Sequence, residues 1–252
     1  MKSLVLLVLS LHVTGAICAA DGLVSKVPPA GQWVSFNVAT RVGHKDGTTT
    51  DSKGILIVRS LANEKIDGRM CRWLEFEHSW EQLAGAKIQR RFHSSVTKVA
   101  VVESSLAMGF DPAKDIVRGF HAKTSADHKP DAWTYNRVTK VKKGVGSYTG
   151  LGAVDFYLRP TLKHSKTLKD RTIVVNEAKL ECNGFKTIET VDRPGEKQDL
   201  TITLSQWKNP KVPFGVVEYQ IGRKRSNGST FNQKLTMKDS GKNAKPSITQ
   251  TE

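Results

Sequence analysis

The feature that most limits this chain is a succession of short runs, alternately apolar and polar, separated by tight-turn dipeptides. Residues 32–39 form the first run, after the breaker Pro28-Pro29. His44-Lys45-Asp46-Gly47 reads as a turn and residues 54–61 as a second strand. Asp67-Gly68 is the next turn, followed by a third strand over 70–78. Alternation puts Met70, Leu74 and Phe76 on one face of that strand and Cys71 and Trp73 on the other. Residues 86–92 alternate as a fourth, and 97–102 continue it after an irregular stretch.

The second half repeats the pattern. Residues 171–176 and 178–182 flank a bend. Asn183-Gly184 predicts a hairpin turn into 185–191, and 192–196 predict another turn before the alternating run 200–204. Residues 216–223 pair naturally with 229–237 through Ser226-Asn227-Gly228. Connections this short join antiparallel neighbours, because a parallel crossover needs a dozen residues or more.

Helical signals are few. Asp111-Pro112, with Ile116 and Phe120 four apart, predicts one short helix over 111–120. Residues 158–168 suit a short helix or an extended loop. The expected fold is mainly β: a strongly curved antiparallel sheet or half-open β-barrel, with one or two short helices on its concave side.

The chain begins with the three parts of an export signal. Lys2 supplies the charge, an apolar run follows from Leu4, and small residues cluster at Gly15, Ala16, Ala19 and Ala20. The expectation is a signal peptide over 1–20, one domain over 21–237, and a disordered tail over 238–252. The product is exported, to the periplasm or beyond the cell. Cys18 raises a lipid anchor, but Ile17 before it is too bulky for that signal. Cys71 and Cys182 remain, either as a candidate disulfide or as two separate buried thiols. A bond between them would close a long loop and stabilise by roughly 3–5 kcal/mol.

Charge is uneven. The whole chain carries a net +15. Positions 21–136 hold 16 basic and 13 acidic side chains, and positions 137–252 hold 22 and 11. A field of this sign attracts polyanions or an anionic membrane surface. Arg223, Lys224 and Arg225 are the candidate contacts. No nucleic-acid motif is present, so no nucleic-acid partner is expected.

No catalytic constellation, cofactor motif or metal-ligand spacing is found. Ser95-Val96-Thr97-Lys98 matches a Ser-x-x-Lys nucleophile motif, but its flanks are strand-like rather than helical. His78 and His93 could face each other across a hairpin. Asn227-Gly228-Ser229 has the form of a glycosylation sequon, which the turn explains equally well. Trp33, Phe36, Trp73, Phe76, Phe92, Phe214 and Tyr219 lie on or beside strands. They either fill the core or line an apolar cavity.

Three segments carry a family likeness: Trp207 to Tyr219 with its Val212-Pro213-Phe214-Gly215-Val216-Val217, Asp67 to Glu75, and Lys179 to Gly184. They resemble uncharacterised exported bacterial proteins similar to the periplasmic lipoprotein-carrier (LolA/LolB-like) superfamily. The resemblance implies a half-barrel with helices plugging its concave face and no catalysis. It also implies a lipid or lipoprotein acyl chain as candidate partner. A monomer is expected.

Overall fold

The computed structural model describes residues 22–83, 91–105, 116–124, 134–138, 157–158, 165–191 and 200–247. The expected signal peptide, Cys18, the turn at 192–196 and residues 248–252 lie outside the described residues.

Among the described residues, eleven antiparallel strands form one curved, open sheet. In chain order they are β1 (Trp33–Gly43), β2 (Thr49–Ile66), β3 (Arg69–Leu83), β4 (Arg91–Val102), β5 (Ile116–Thr124) and β6 (Thr134–Val138). Then come β7 (Ser165–Val175), β8 (Ala178–Val191), β9 (Leu200–Lys208), β10 (Val216–Arg225) and β11 (Thr230–Gly241). The spatial order is β6-β5-β4-β3-β2-β1-β11-β10-β9-β8-β7. Each half of the chain is thus a meander, and the pairing of the first strand with the last joins them.

Several expectations shift. The helix over 111–120 is not formed at its second part: Ile116 to Phe120 belong to β5, hydrogen-bonded to β4, and 111–115 lie outside the described residues. Ladder pairing outweighs a helical pattern only a few residues long. Helical structure among the described residues is confined to 3₁₀ turns at Glu103–Ser105 and Pro213–Gly215 and a helical residue at Tyr157.

Asn183-Gly184 is not a turn. Both residues lie inside β8, where Gly184 permits close approach of neighbours. A Cβ there would stand 2.8 Å from Leu168 Cβ and 2.9 Å from Trp207 Nε1. The hairpin turns instead at Asn176-Glu177, both with positive φ (45° and 68°). That is the primed-turn geometry matching strand twist. The tail does not begin at 238. β11 runs on to Gly241, Ala244 N–H donates to Gly31 O at 2.7 Å, and Ser247 binds Glu75.

The main core occupies one face. Val34, Phe36 and Val38 of β1, Leu74 and Phe76 of β3, Ile202 and Leu204 of β9, and Tyr219 and Ile221 of β10 are buried there. Burying each such side chain contributes about 1.5–3 kcal/mol. The core is capped by Leu23 and Val24, by Tyr157 and Leu158 from the β6–β7 connection, and by Phe214. Leu23 and Val24 lie three and four residues after Ala20, where the signal peptide is expected to end. A smaller cluster, Leu61, Ile66, Cys71, Trp73 and Ala100, sits on the other face.

Candidate functional site

The seven aromatic residues do not share one cavity. Phe36, Phe76, Phe214 and Tyr219 are at most 2% exposed and packed into the main core. Trp73 is on the opposite face, with its ring centroid 5.6 Å from that of Phe120. Trp33, half-buried, lies over Gly241, whose missing Cβ leaves room for the indole. Phe92 is in β4, with its side chain outside the described residues.

The motif around Phe214 has a local explanation. Phe214 takes a positive φ (60°) that costs an aromatic residue strain. Its carbonyl accepts from Ser25 N–H at 3.1 Å and from Ser25 Oγ at 3.0 Å. Gly215, at φ 79°, leaves the space that the Ser25 hydroxyl occupies. Val212 to Gly215 thus clasp the N-terminal segment against the core.

Cys71 and Cys182 are free, buried thiols rather than a disulfide. They belong to two clusters on different parts of the sheet, in β3 and β8. Burial raises both thiol pKa values, that of Cys182 to about 11. Ser95 and Lys98 lie on β4, three apart, so their side chains leave opposite faces of the sheet. Lys98 Nζ sits 3.9 Å from Glu75 Oε2 instead. His78 pairs with Ser95, and His93 with Trp80, so the two histidines are diagonal rather than opposed. Asn227 Oδ1 accepts from Ser229 N–H and Oγ, closing the turn.

A broad depression lies elsewhere. It is a trough of about 1050 Å³ over β1, β2, β9, β10 and β11, on the face opposite the main core. Strand register builds it in rows. One row runs Ser205–Gln220–Lys234–Ala39–Lys53. The next runs Thr203–Gly222–Asn232–Arg41–Asp51, and a third begins Thr201–Lys224–Thr230. Small residues, Ala39 and Gly222, keep the floor low. Hydroxyls and amides fill the remaining positions.

Its charge is positive. Arg41, Lys53, Lys224 and Lys234 line it, Arg223 borders it, and Asp51 is the carboxylate among them. Arg41 Nε donates to Asp51 Oδ1 at 2.8 Å. That hydrogen bond holds the Asp51 carboxyl below its usual pKa, so the pair stays ionised. Lys234 Nζ is 3.3 Å from Glu218 Oε2, whose other oxygen meets Arg171 Nη2 at 2.6 Å. Among the described residues, Lys53 and Lys224 make no ion pair.

The expected trio is divided by the strand's alternation. Lys224 faces the trough, whereas Arg223 and Arg225 belong to the other face. Arg223 stacks 4.7 Å from the centroid of Phe231. Sequence reading missed Arg41, Lys53 and Lys234, because they come together only through pairing of β11 with β1 and of β1 with β2.

No family model matches the chain, and no curated protein matches it. Among solved structures, it is similar to a Bacteroides fragilis protein described as exported and YmcC-like in fold. The two are 11% identical over 88% of this chain and 100% of that one, with a TM-score of 0.31. It is also similar to a β-barrel-like protein of a domain of unknown function from Brucella abortus, at 7% identity over 86% and 99%, TM-score 0.31. A LolA superfamily protein from Nitrosomonas europaea is similar at 9% identity over 90% and 92%, TM-score 0.27. Likeness at this level bears on neither ligand nor activity.

Proposed function

We propose that this chain is an exported, non-enzymatic binding protein that engages an anionic partner through the cationic trough. The observation that carries this reading is the trough itself: about 1050 Å³, with Arg41, Lys53, Lys224 and Lys234 on its face, Arg223 at its margin, and Asp51 as the carboxylate in its lining. Cations gathered in a concavity focus the field outward and draw in anions. The export signal of the first 20 residues supports a setting outside the cytoplasm. An acyl chain in the half-barrel is less well supported. Phe36, Phe76, Phe214 and Tyr219, offered for that role, already pack on Leu23, Val24 and Tyr157.

The reading is tested on a heparin matrix. The secreted protein is retained at low ionic strength and elutes as salt rises, because exposed charge pairs are screened. Lys53→Glu with Lys234→Glu elutes much earlier. Absence of retention, or retention unaffected by salt and by both substitutions, overturns it.

A further inference from the structure

The cations of the trough belong to a longer alignment. The row Ser205–Gln220–Lys234–Ala39–Lys53 continues beyond the trough through Lys186 of β8 to Lys166 of β7. One line across seven strands therefore carries Lys166, Lys186, Lys234 and Lys53 on a single face. At about 4.8 Å between strands, the line spans roughly 29 Å. Lys53, Lys166 and Lys234 are exposed, and Lys186 is half-buried. Among the described residues, Lys53, Lys166 and Lys186 make no ion pair.

The direction of this line matters. Along a strand, the next residue on the same face is often neutral or opposed. Below Lys53 stands Asp51, and below Lys234 stand Asn232 and Thr230. Across the strands lysines recur, spaced by Ser205, Gln220 and Ala39, whereas the same-face neighbours of Lys53 and Lys234 along their own strands carry no second cation. An extended anion is therefore held best at right angles to the strands.

We infer that a linear anionic polysaccharide lies along this row, its acidic groups on the lysines and its hydroxyls on Ser205 and Gln220. This deepens the reading above and rests on it. The lining favours sugar over nucleic acid: no aromatic side chain of the trough offers a base a stacking platform, and Trp207, beside the row on β9, already carries the Arg171 guanidinium 3.6 Å from its ring centroid. The recess favours a chain over a flat anionic bilayer, since Ala39 and Gly222 at its floor are set below the surrounding long side chains.

The test measures affinity for sulfated oligosaccharides of increasing length, using the secreted protein at fixed salt. Affinity rises with length until the roughly 29 Å row is covered and then levels off. Lys166→Glu with Lys186→Glu, outside the trough but in the row, abolishes the gain from longer chains and weakens the longest by about tenfold. Lys224→Glu, in the trough but off the row, weakens long and short chains alike and keeps the length dependence. Circular dichroism and thermal melts establish that each variant is folded. Length-independent binding, or an undiminished gain in the Lys166/Lys186 variant, overturns the row while leaving the anionic site standing. Tighter binding of single-stranded DNA or of anionic vesicles overturns the polysaccharide. Binding of no anion at all overturns the underlying reading as well.

Discussion

Lys53 and Lys234 stand on the same face of the sheet, on either side of Ala39, in a row set by the β2–β1–β11 pairing. They are 181 positions apart in sequence and about 10 Å apart by strand spacing. A methyl group between two lysines leaves a gap with a cation at each rim. This arrangement exists only because the first and last strands meet.

The buried histidine makes stability depend on pH. His78 Nε2 is shielded from solvent without a hydrogen-bond partner among the described residues, and its ring lies 5.0 Å from that of Trp80. Desolvation lowers its pKa from 6.5 to about 4. The unfolded chain therefore takes up a proton at a higher pH than the folded one. Stability is highest above pH 6.5 and falls as pH drops through the interval down to about 4. The loss approaches about 3 kcal/mol. Urea melts across this range show it, and His78→Phe flattens the slope.

Thiol counting separates three expectations in one assay. With Cys71 and Cys182 buried and free, the folded protein reacts slowly with an aromatic disulfide reagent. Denaturation without reductant releases two thiols from the processed chain. A third thiol would mean that Cys18 is retained, and none would mean a disulfide.

Gly215→Ala introduces a Cβ where the Ser25 hydroxyl lies, at a φ of 79° that alanine rarely adopts. The expected destabilisation is about 1–3 kcal/mol. Limited proteolysis near residue 25 should accelerate in step, because Ser25 is held by the Phe214 carbonyl. Unchanged cleavage would remove the clasp from this account.

The C-terminal segment is held by a buried carboxylate. Glu75 is 0% exposed, and its Oε1 accepts from Arg59 Nη1 at 2.9 Å, Ser247 N–H at 2.9 Å and Ser247 Oγ at 2.6 Å. Ser247→Ala removes one of these bonds to a charged acceptor. It should cost about 1.5–3 kcal/mol in a chemical melt. Truncation before Ala244 should cost more, since it also uncovers the Trp73 cluster that Ala244 packs against.

Much of the fold was legible in the sequence, and the site was not. Alternation correctly separated Leu74 and Phe76 from Cys71 and Trp73. Asp67-Gly68 and Ser226-Asn227-Gly228 turn where their residues demand. Asn183-Gly184 misled because the same glycine that suits a turn also suits close packing under Trp207. The bend between 176 and 178 was read correctly, but not as the tight hairpin turn, because glutamate rarely takes the positive φ that Glu177 adopts. The tail was misjudged because its composition is polar, while its order comes from Glu75, 172 positions away. The cation row was hidden for a similar reason: local clusters such as Arg223-Lys224-Arg225 are divided between two faces. Charge that adds up across strands is set by register, which no local window contains.

The most direct test maps ligand contact residue by residue. Backbone amide shifts of the folded protein are followed while a fully sulfated oligosaccharide is added. The account predicts perturbations on β1, β2, β9, β10 and β11 around Ala39, Lys53, Gln220 and Lys234, extending to Lys186. Perturbations centred on Phe36, Phe76 and Tyr219, or none at saturating ligand, would contradict it.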